Sequence, residues 1–523
     1  MNRWLALCVV LFFSHALHAQ LLTWTPPFPK ESDPSQSLEI IVDATKGNQG
    51  LLNHTPVSDV YVHIGVITSL STSGTDWRHV KFTWATTPPE ANAVSLGGNK
   101  WKFTINGSLR TFFDITDASE TIKKIAILFR SGNGNNVERN SDESDMYIPV
   151  YGNGLNVRID APPSEPKYFR VAEQQSWSVG NVFTMTSNAS APSQIKHYFN
   201  NQPASVSPPS VTTYSSSFTI TQEGQQVLIS EASDGTTTTY DTLKFFVSPP
   251  ASPTAALPAG VRDGINYEPG DTSVTLVLRA PGKNLVTVIG EFNNWSQQVM
   301  NRTPDGKFFW IRVHPLLPGT EYAYQYIVDA SIKIADPYAE KILDPSGDQF
   351  IPASVYPGLK SYPAGQSGIV SVLQTAAPTY TWTTSSFSRP DKRGLVIYEL
   401  LVRDFVAAHD WKTVTDSLNY LKNLGINAIE VMPVNEFEGN SSWGYNPDFY
   451  FAPDKYYGPK NTMKAFIDSC HKKGIAVIMD IALNHSFGQS PMVQLYWDAA
   501  NNRPVANNPW FNPVPKHPFN VGY

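Results

Sequence analysis

Leu395-Val-Ile-Tyr-Glu-Leu-Leu-Val-Arg403, Asn427-Ala-Ile-Glu-Val-Met-Pro433 and Ile475-Ala-Val-Ile-Met-Asp480-Ile-Ala-Leu-Asn484-His485 are three apolar runs separated by two amphipathic patterns. Val414, Leu418 and Leu421 recur at i, i+4 and i+7 before Gly425. Met463, Phe466, Ile467 and Cys470 share one face of a helix expected over 461–473, with Gly474 after it. Apolar strands alternating with such helices predict a parallel α/β sheet. The expected strands cover 395–405, 427–434 and 475–483. Polar residues gather where they end, and in a parallel sheet or barrel those ends carry the site.

Upstream the periodicity differs. Alternating runs at 60–67, 80–84, 101–105 and 125–129, broken by polar turns such as 131–136, predict an antiparallel sandwich over 37–155. Pro162, Pro163 and Pro166 mark a linker before a Ser/Thr-rich β spacer module over 165–248. Pro249, Pro250, Pro253 and Pro258 form another stiff connection. A third β module is expected over 258–352, and 361–389 reads as a connector without a strong period. The expected architecture is three β-sandwich modules followed by the α/β segment over 390–523.

Composition agrees with sheet-rich modules. The 523 residues include 41 Pro against 33 Gly, and 12% are aromatic. With 39 Lys+Arg against 45 Asp+Glu, the net charge is −6, which leaves no basic excess to neutralise a phosphate backbone and excludes nucleic acid as the expected partner. Residues 1–19 read as a secretory signal: Arg3, an apolar run of about nine residues, then small residues at Ser14, Ala16 and Ala19. That run is too short to span a bilayer. The chain is therefore expected to be secreted, cell-surface or periplasmic, of bacterial type, and free of the membrane once the signal is removed. Cys8 lies in the signal, so Cys470 is expected to be unpaired and to serve packing. Oligomeric state has no sequence signal.

Three ordered motifs carry a resemblance. Asp480-Ile-Ala-Leu-Asn484-His485 resembles the first signature region of the alpha-amylase superfamily of glycoside hydrolases. Trp443-Gly-Tyr445-Asn-Pro447, followed by Phe451-Ala-Pro453 and Tyr456-Tyr-Gly458, is similar to the loop after the second strand in pullulanase-like and amylase-like members. Gly425-Ile-Asn-Ala-Ile-Glu430-Val-Met-Pro433 matches their second strand. Upstream, Val286-Thr-Val-Ile-Gly-Glu-Phe-Asn-Asn-Trp295-Ser, with Trp310 and Asp336-Pro-Tyr-Ala339, is similar to the immunoglobulin-like domain preceding the barrel in branching enzymes, isoamylases and pullulanases. Trp77, Trp84, Trp101 and the turn Leu128-Phe-Arg-Ser-Gly-Asn-Gly-Asn135 resemble starch-binding sandwiches of secreted amylases.

The resemblance implies a (β/α)8 barrel of which 390–523 is the N-terminal part, and an α-glucan as substrate. It implies Tyr445 as a stacking platform, His485 as a donor to a sugar hydroxyl, and Trp443 and Asp480 beside them, Asp480 organising the loop. Arg403, Glu430 and Glu436 read as ion-pair or hydrogen-bond residues at the barrel mouth. Asn484 matches a position that ligates a structural calcium in many members, although Ca²⁺ takes six to eight oxygens. Retaining hydrolysis needs two carboxyl groups about 5–5.5 Å apart. In this superfamily they follow the fourth and fifth strands, with a further Asp after the seventh. A barrel takes about 250 residues, so the expectation is a chain without its catalytic carboxylates and inactive by itself. Asp448 is left as a rim or structural residue. Trp77, in a polar loop, is the expected stacking platform of the first module, with Trp84 and Trp101 in its core; Trp295 is either a glucan platform or packing. Two other readings stay open: a non-catalytic glucan-binding protein, and a branching or glucanotransferase enzyme.

Overall fold

The computed structural model describes residues 20–173, 177–200 and 202–516. The signal sequence and Cys8 lie outside the described residues. Among these residues no helix is long and apolar enough to cross a membrane. The chain forms two compact units, the first mainly of residues up to 245 and the second mainly of residues from 246.

In the first unit, Leu22–Thr25, Ser37–Asp43, Lys100–Asn106 and Val94–Gly97 make one antiparallel sheet. Val60–Thr68, Ile122–Ser131, Val137–Glu138 and Met146–Pro149 make a second. Alternation decides what each buries: Leu38, Ile40 and Val42 point inward from one sheet, Val62, Ile64 and Val66 from the other, into one shared core. Trp101 lies in that core and its Nε1–H donates to the Val57 carbonyl (2.8 Å). No strand forms over 80–84; this segment drapes along the second sheet, with Lys81 N–H donating to the Ile64 carbonyl. A further sheet is built on the long strand Val182–Phe199. Val157–Ala161 already pairs with it, so the expected boundary at the prolines falls after the first strand of that sheet.

The second unit opens with Gly264–Tyr267, Val274–Arg279, Phe308–Val313 and Asn301–Arg302 in one sheet, facing another centred on Val286–Gly290 and Glu321–Val328. Val370–Gln374 completes the latter, pairing with Glu321–Val328 and Ile342–Leu343. The expected connector thus contains a strand of this module. Its run Val-Ser-Val-Leu is buried on both faces and so lacks the alternation that marks a strand.

The α/β segment follows: β1 (Ile397–Leu400), α1 (Trp411–Asp416), α2 (Leu418–Asn423), β2 (Ala428–Val431), β3 (Asn435–Phe437), β4 (Pro447–Pro453), α3 (Lys460–Lys472) and β5 (Ala476–Met479). β1, β2 and β5 form a parallel sheet in the order β1-β2-β5, as the periodicity predicts. The strands are shorter than their apolar runs, because Val402–Phe405 turns helical immediately after β1. The first expected helix is broken at Ser417, whose Oγ–H donates back to the Thr413 carbonyl (2.9 Å). Val414, Leu418 and Leu421 nonetheless all face the core, with Phe466 and Cys470 of α3. Cys470 is buried and unpaired. Residues 491–510, expected within the barrel, instead pack Leu495, Tyr496 and Trp510 on the preceding β module, and the Tyr496 hydroxyl donates to the Pro281 carbonyl (2.6 Å).

Candidate active site

The chain leaves β2 through Pro433 and makes the hairpin β3–β4, whose tip, 438–446, lies at the C-terminal end of the parallel sheet. Glu438 N–H donates to the Asn446 carbonyl (3.2 Å) and the Asn446 amide returns a bond to the Glu438 carbonyl (3.1 Å), closing the tip. Gly444, at φ +87°, sits so close to β2's exit that a Cβ would lie 2.1 Å from the Pro433 carbonyl oxygen. Only glycine fits there. This turn presents Trp443 (61% exposed) and Tyr445 (39%) to solvent.

Two residues after β5 fix Tyr445. Its hydroxyl donates to Asp480 Oδ2 (2.5 Å), and Asp480 N–H in turn donates to the Val431 carbonyl of β2 (3.0 Å). Burial, then the Asp480 carboxylate, pushes the Tyr445 phenol up to about 12, so it stays neutral and donating at physiological pH. Glu399 and Glu430 add to this push. They are register partners on β1 and β2, on the sheet face opposite Leu400 and Val431, which pack in the core. Glu399 is the residue that sequence reading missed; its register with Glu430 becomes visible only once the strands pair.

His485 is buried, with Nε2–H donating to the Tyr445 carbonyl (2.7 Å) and Nδ1 lying 3.0 Å from the Asn484 side-chain oxygen. Its ring is thus turned to the backbone of Tyr445. The same stitching continues along β4. The Pro447 carbonyl accepts from Ser486 Oγ (2.8 Å) and Phe487 N–H (3.1 Å), and the Tyr450 hydroxyl donates to the His485 carbonyl (2.8 Å). Asn484 is exposed, and no group of three or more His, Cys, Asp or Glu side chains among the described residues is placed to hold a metal. One amide oxygen does not supply the six to eight that Ca²⁺ takes, so the donor set does not fit a calcium site.

A buried charge network stands behind the hairpin. Lys455 bonds Glu436 of β3 (2.5 Å) and pairs with Asp348 (3.3 Å), with Asp454 adjoining. Burial and mutual repulsion push Glu436 and Asp454 up, Asp454 to about 7; burial opposes the Lys455 charge, but its carboxylate neighbours outweigh this and hold it above the usual range. Arg403 pairs with Asp404 (2.7 Å). Asp448, on β4, is buried with both oxygens outside hydrogen-bond geometry; burial and then Glu438 push it up to about 8, the backbone of Ser490 and Gln489 offsetting this only in part.

Among the upstream tryptophans, Trp84 departs from its expected place. Trp77 is half-buried, stacked on His63 (5.6 Å between centroids) and edge-on to Tyr147, while Trp84, expected in the core, is 41% exposed. Arg130 lies against the Trp84 ring at 5.5 Å. Trp295 packs against Ala323, Leu343 and Val370 as a core-side residue.

The family description "Alpha amylase, catalytic domain" matches residues 383–521. A malto-oligosyltrehalose trehalohydrolase of Saccharolobus solfataricus is 33% identical over 155 residues, 30% of this chain and 26% of that protein. A 1,4-alpha-glucan branching enzyme GlgB of Cupriavidus pinatubonensis is 31% identical over 226 residues, 40% and 28%. Isoamylase SU1 of Zea mays is 29% identical over 267 residues, 43% and 32%. A crystal structure of a putative alpha amylase from Salmonella typhimurium aligns with TM-score 0.37 and 25% identity, covering 48% of this chain and 38% of that one. The matches span about a quarter to a third of the curated relatives' length. The motifs on β2, in the loop after it and at the end of β5 all lie within the matched span, so the α/β segment carries the similarity to the alpha-amylase catalytic domain.

Proposed function

We propose that the protein is a secreted enzyme acting on α-glucosidic bonds of starch-like glucans, with the described site supplying the sugar-positioning part of the reaction. The reaction class is double displacement with retention, in which a nucleophilic carboxylate and an acid/base carboxyl act about 5–5.5 Å apart. The observation that carries this reading is Tyr445, a neutral aromatic ring left open to solvent yet clamped at its hydroxyl by Asp480 and at its backbone by His485. A clamped ring offers a sugar's apolar face a surface that loses little freedom on binding. Asp480 and His485 act on the sugar through Tyr445, and Trp443 extends the platform.

Titration of the full chain with maltoheptaose tests this. Tyr445→Ala should weaken binding at least about tenfold, a loss of about 1.4 kcal/mol. Wild-type protein without affinity for maltoheptaose sinks the reading. Branching or transferase activity is the neighbouring alternative, supported by the named branching-enzyme relative. Hydrolysis releases one reducing end per bond broken, whereas transfer conserves them, so end-group counting during turnover separates the two. Sequencing the N-terminus of exported protein tests secretion; an intact Met1 in the mature product would oppose it.

A further inference from the structure

One large aromatic side chain near the site has no role in the reading above. Phe350 is 68% exposed, at the end of the short turn Asp348–Phe350 of the preceding β module. That turn is joined to the Trp443–Tyr445 loop at a single oxygen. The Gly347 carbonyl accepts from the Asn440 side-chain amide (2.7 Å) and also from Phe350 N–H (3.1 Å). The backbone of Phe350 and the tip of the β3–β4 hairpin therefore meet on one atom.

The turn is also fixed from below. Asp344 N–H donates to Asp348 Oδ2 (3.0 Å), Asp348 N–H donates to the Asp344 carbonyl (3.1 Å), and Asp348 pairs with the buried Lys455 (3.3 Å), which bonds Glu436 on β3. An exposed phenyl ring on a turn anchored once to the Trp443–Tyr445 loop and once to the buried Lys455 has the properties of a binding platform: apolar area, fixed position and low ordering cost.

We propose that Phe350 is a stacking platform for glucose units of an α-glucan chain lying beyond the one held at Tyr445, so that the preceding β module contributes a remote subsite. The occupant follows from continuity: Phe350, Trp443 and Tyr445 are exposed aromatic residues on two joined loops, so a glucan long enough to extend from Tyr445 to Phe350 would engage both. The inference rests on the glucan reading of Tyr445.

Calorimetric titration of the full chain with maltoheptaose and maltotriose tests it. Phe350→Ala should weaken maltoheptaose binding about 3- to 10-fold, as expected for one aromatic platform, and leave maltotriose within about twofold; Phe350→Trp should restore the longer sugar. Unchanged maltoheptaose affinity in Phe350→Ala, or equal loss for both sugars, overturns the role of Phe350. If the wild type binds neither sugar, the glucan reading fails and this inference with it. If Tyr445→Ala loses binding while Phe350→Ala does not, only the remote subsite fails.

Discussion

The first sandwich and the three-stranded parallel sheet treat their apolar side chains in opposite ways. In the sandwich, two sheets face each other and the inward residues of both enter one core, so Ile40, Val62 and Ile127 are all fully buried. In the parallel sheet, Leu400, Ile429 and Val431 pack against the helices, but Ile397 on the opposite face is 47% exposed. Met479 and Ile481, along the β5 edge, are also exposed. The sheet face left open carries Glu399 and Glu430 and leads to Tyr445. Burial supplies stability in one region; in the other, the open face carries the polar side chains that lead to the Tyr445 loop.

The largest effect should therefore come from the sandwich. Trp101→Ala removes a fully buried indole together with its bond to the Val57 carbonyl, and should cost about 3–5 kcal/mol. Chemical denaturation of the full chain, followed by hydrogen exchange on peptides from residues 37–149, reads it. A loss below about 1 kcal/mol would mean that the two sheets do not depend on a shared core.

Asp448 offers a test at the junction of the two site-bearing loops. A carboxyl held near pH 8 in the folded chain, against about 4 when unfolded, keeps its proton in the native state while the unfolded state loses it. Between those values the native state binds more protons, so stability falls as pH rises. The contribution is intact below about pH 4 and lost by about pH 8. Asp448→Asn should leave stability unchanged at pH 4 and raise it by about 2–4 kcal/mol at pH 8. Equal gains at both pH values would indicate a packing effect instead of a titrating group.

These contrasts also explain what the sequence made legible. The helix–strand periodicity located β1, β2 and β5, and the Trp443–Pro447 loop was legible through its resemblance to the loop after the second strand. Asp480 reaches the Tyr445 hydroxyl, a partner 35 positions earlier in the chain. What a linear pattern does not carry is where a ring points after the chain turns. Trp84, expected in the core, is exposed because 80–84 runs alongside a sheet without joining it, so alternation has no meaning there. His485 is turned to a backbone carbonyl forty residues earlier in the chain. Val370–Gln374 was invisible because a strand buried on both faces shows no period. The Lys455 network joins residues more than a hundred positions apart, and only folding brings Asp348 to it.

The smallest effect should come from the open face itself. Ile397 begins β1, where its register partners are Ala428 and, beyond it, Ala476, both too small to cover it. Ile397→Thr keeps the β-branched backbone preference and removes apolar surface that faces water in the folded and unfolded chain alike. Its stability should therefore change by about 0.5 kcal/mol or less, the range of ordinary surface substitutions. Self-association should fall, since exposed apolar side chains on an edge strand favour pairing between chains. Analytical ultracentrifugation of wild type and variant across a concentration series measures this. A cost near that of Trp101→Ala would show that the face is covered in solution, and would erase the contrast between the two sheets.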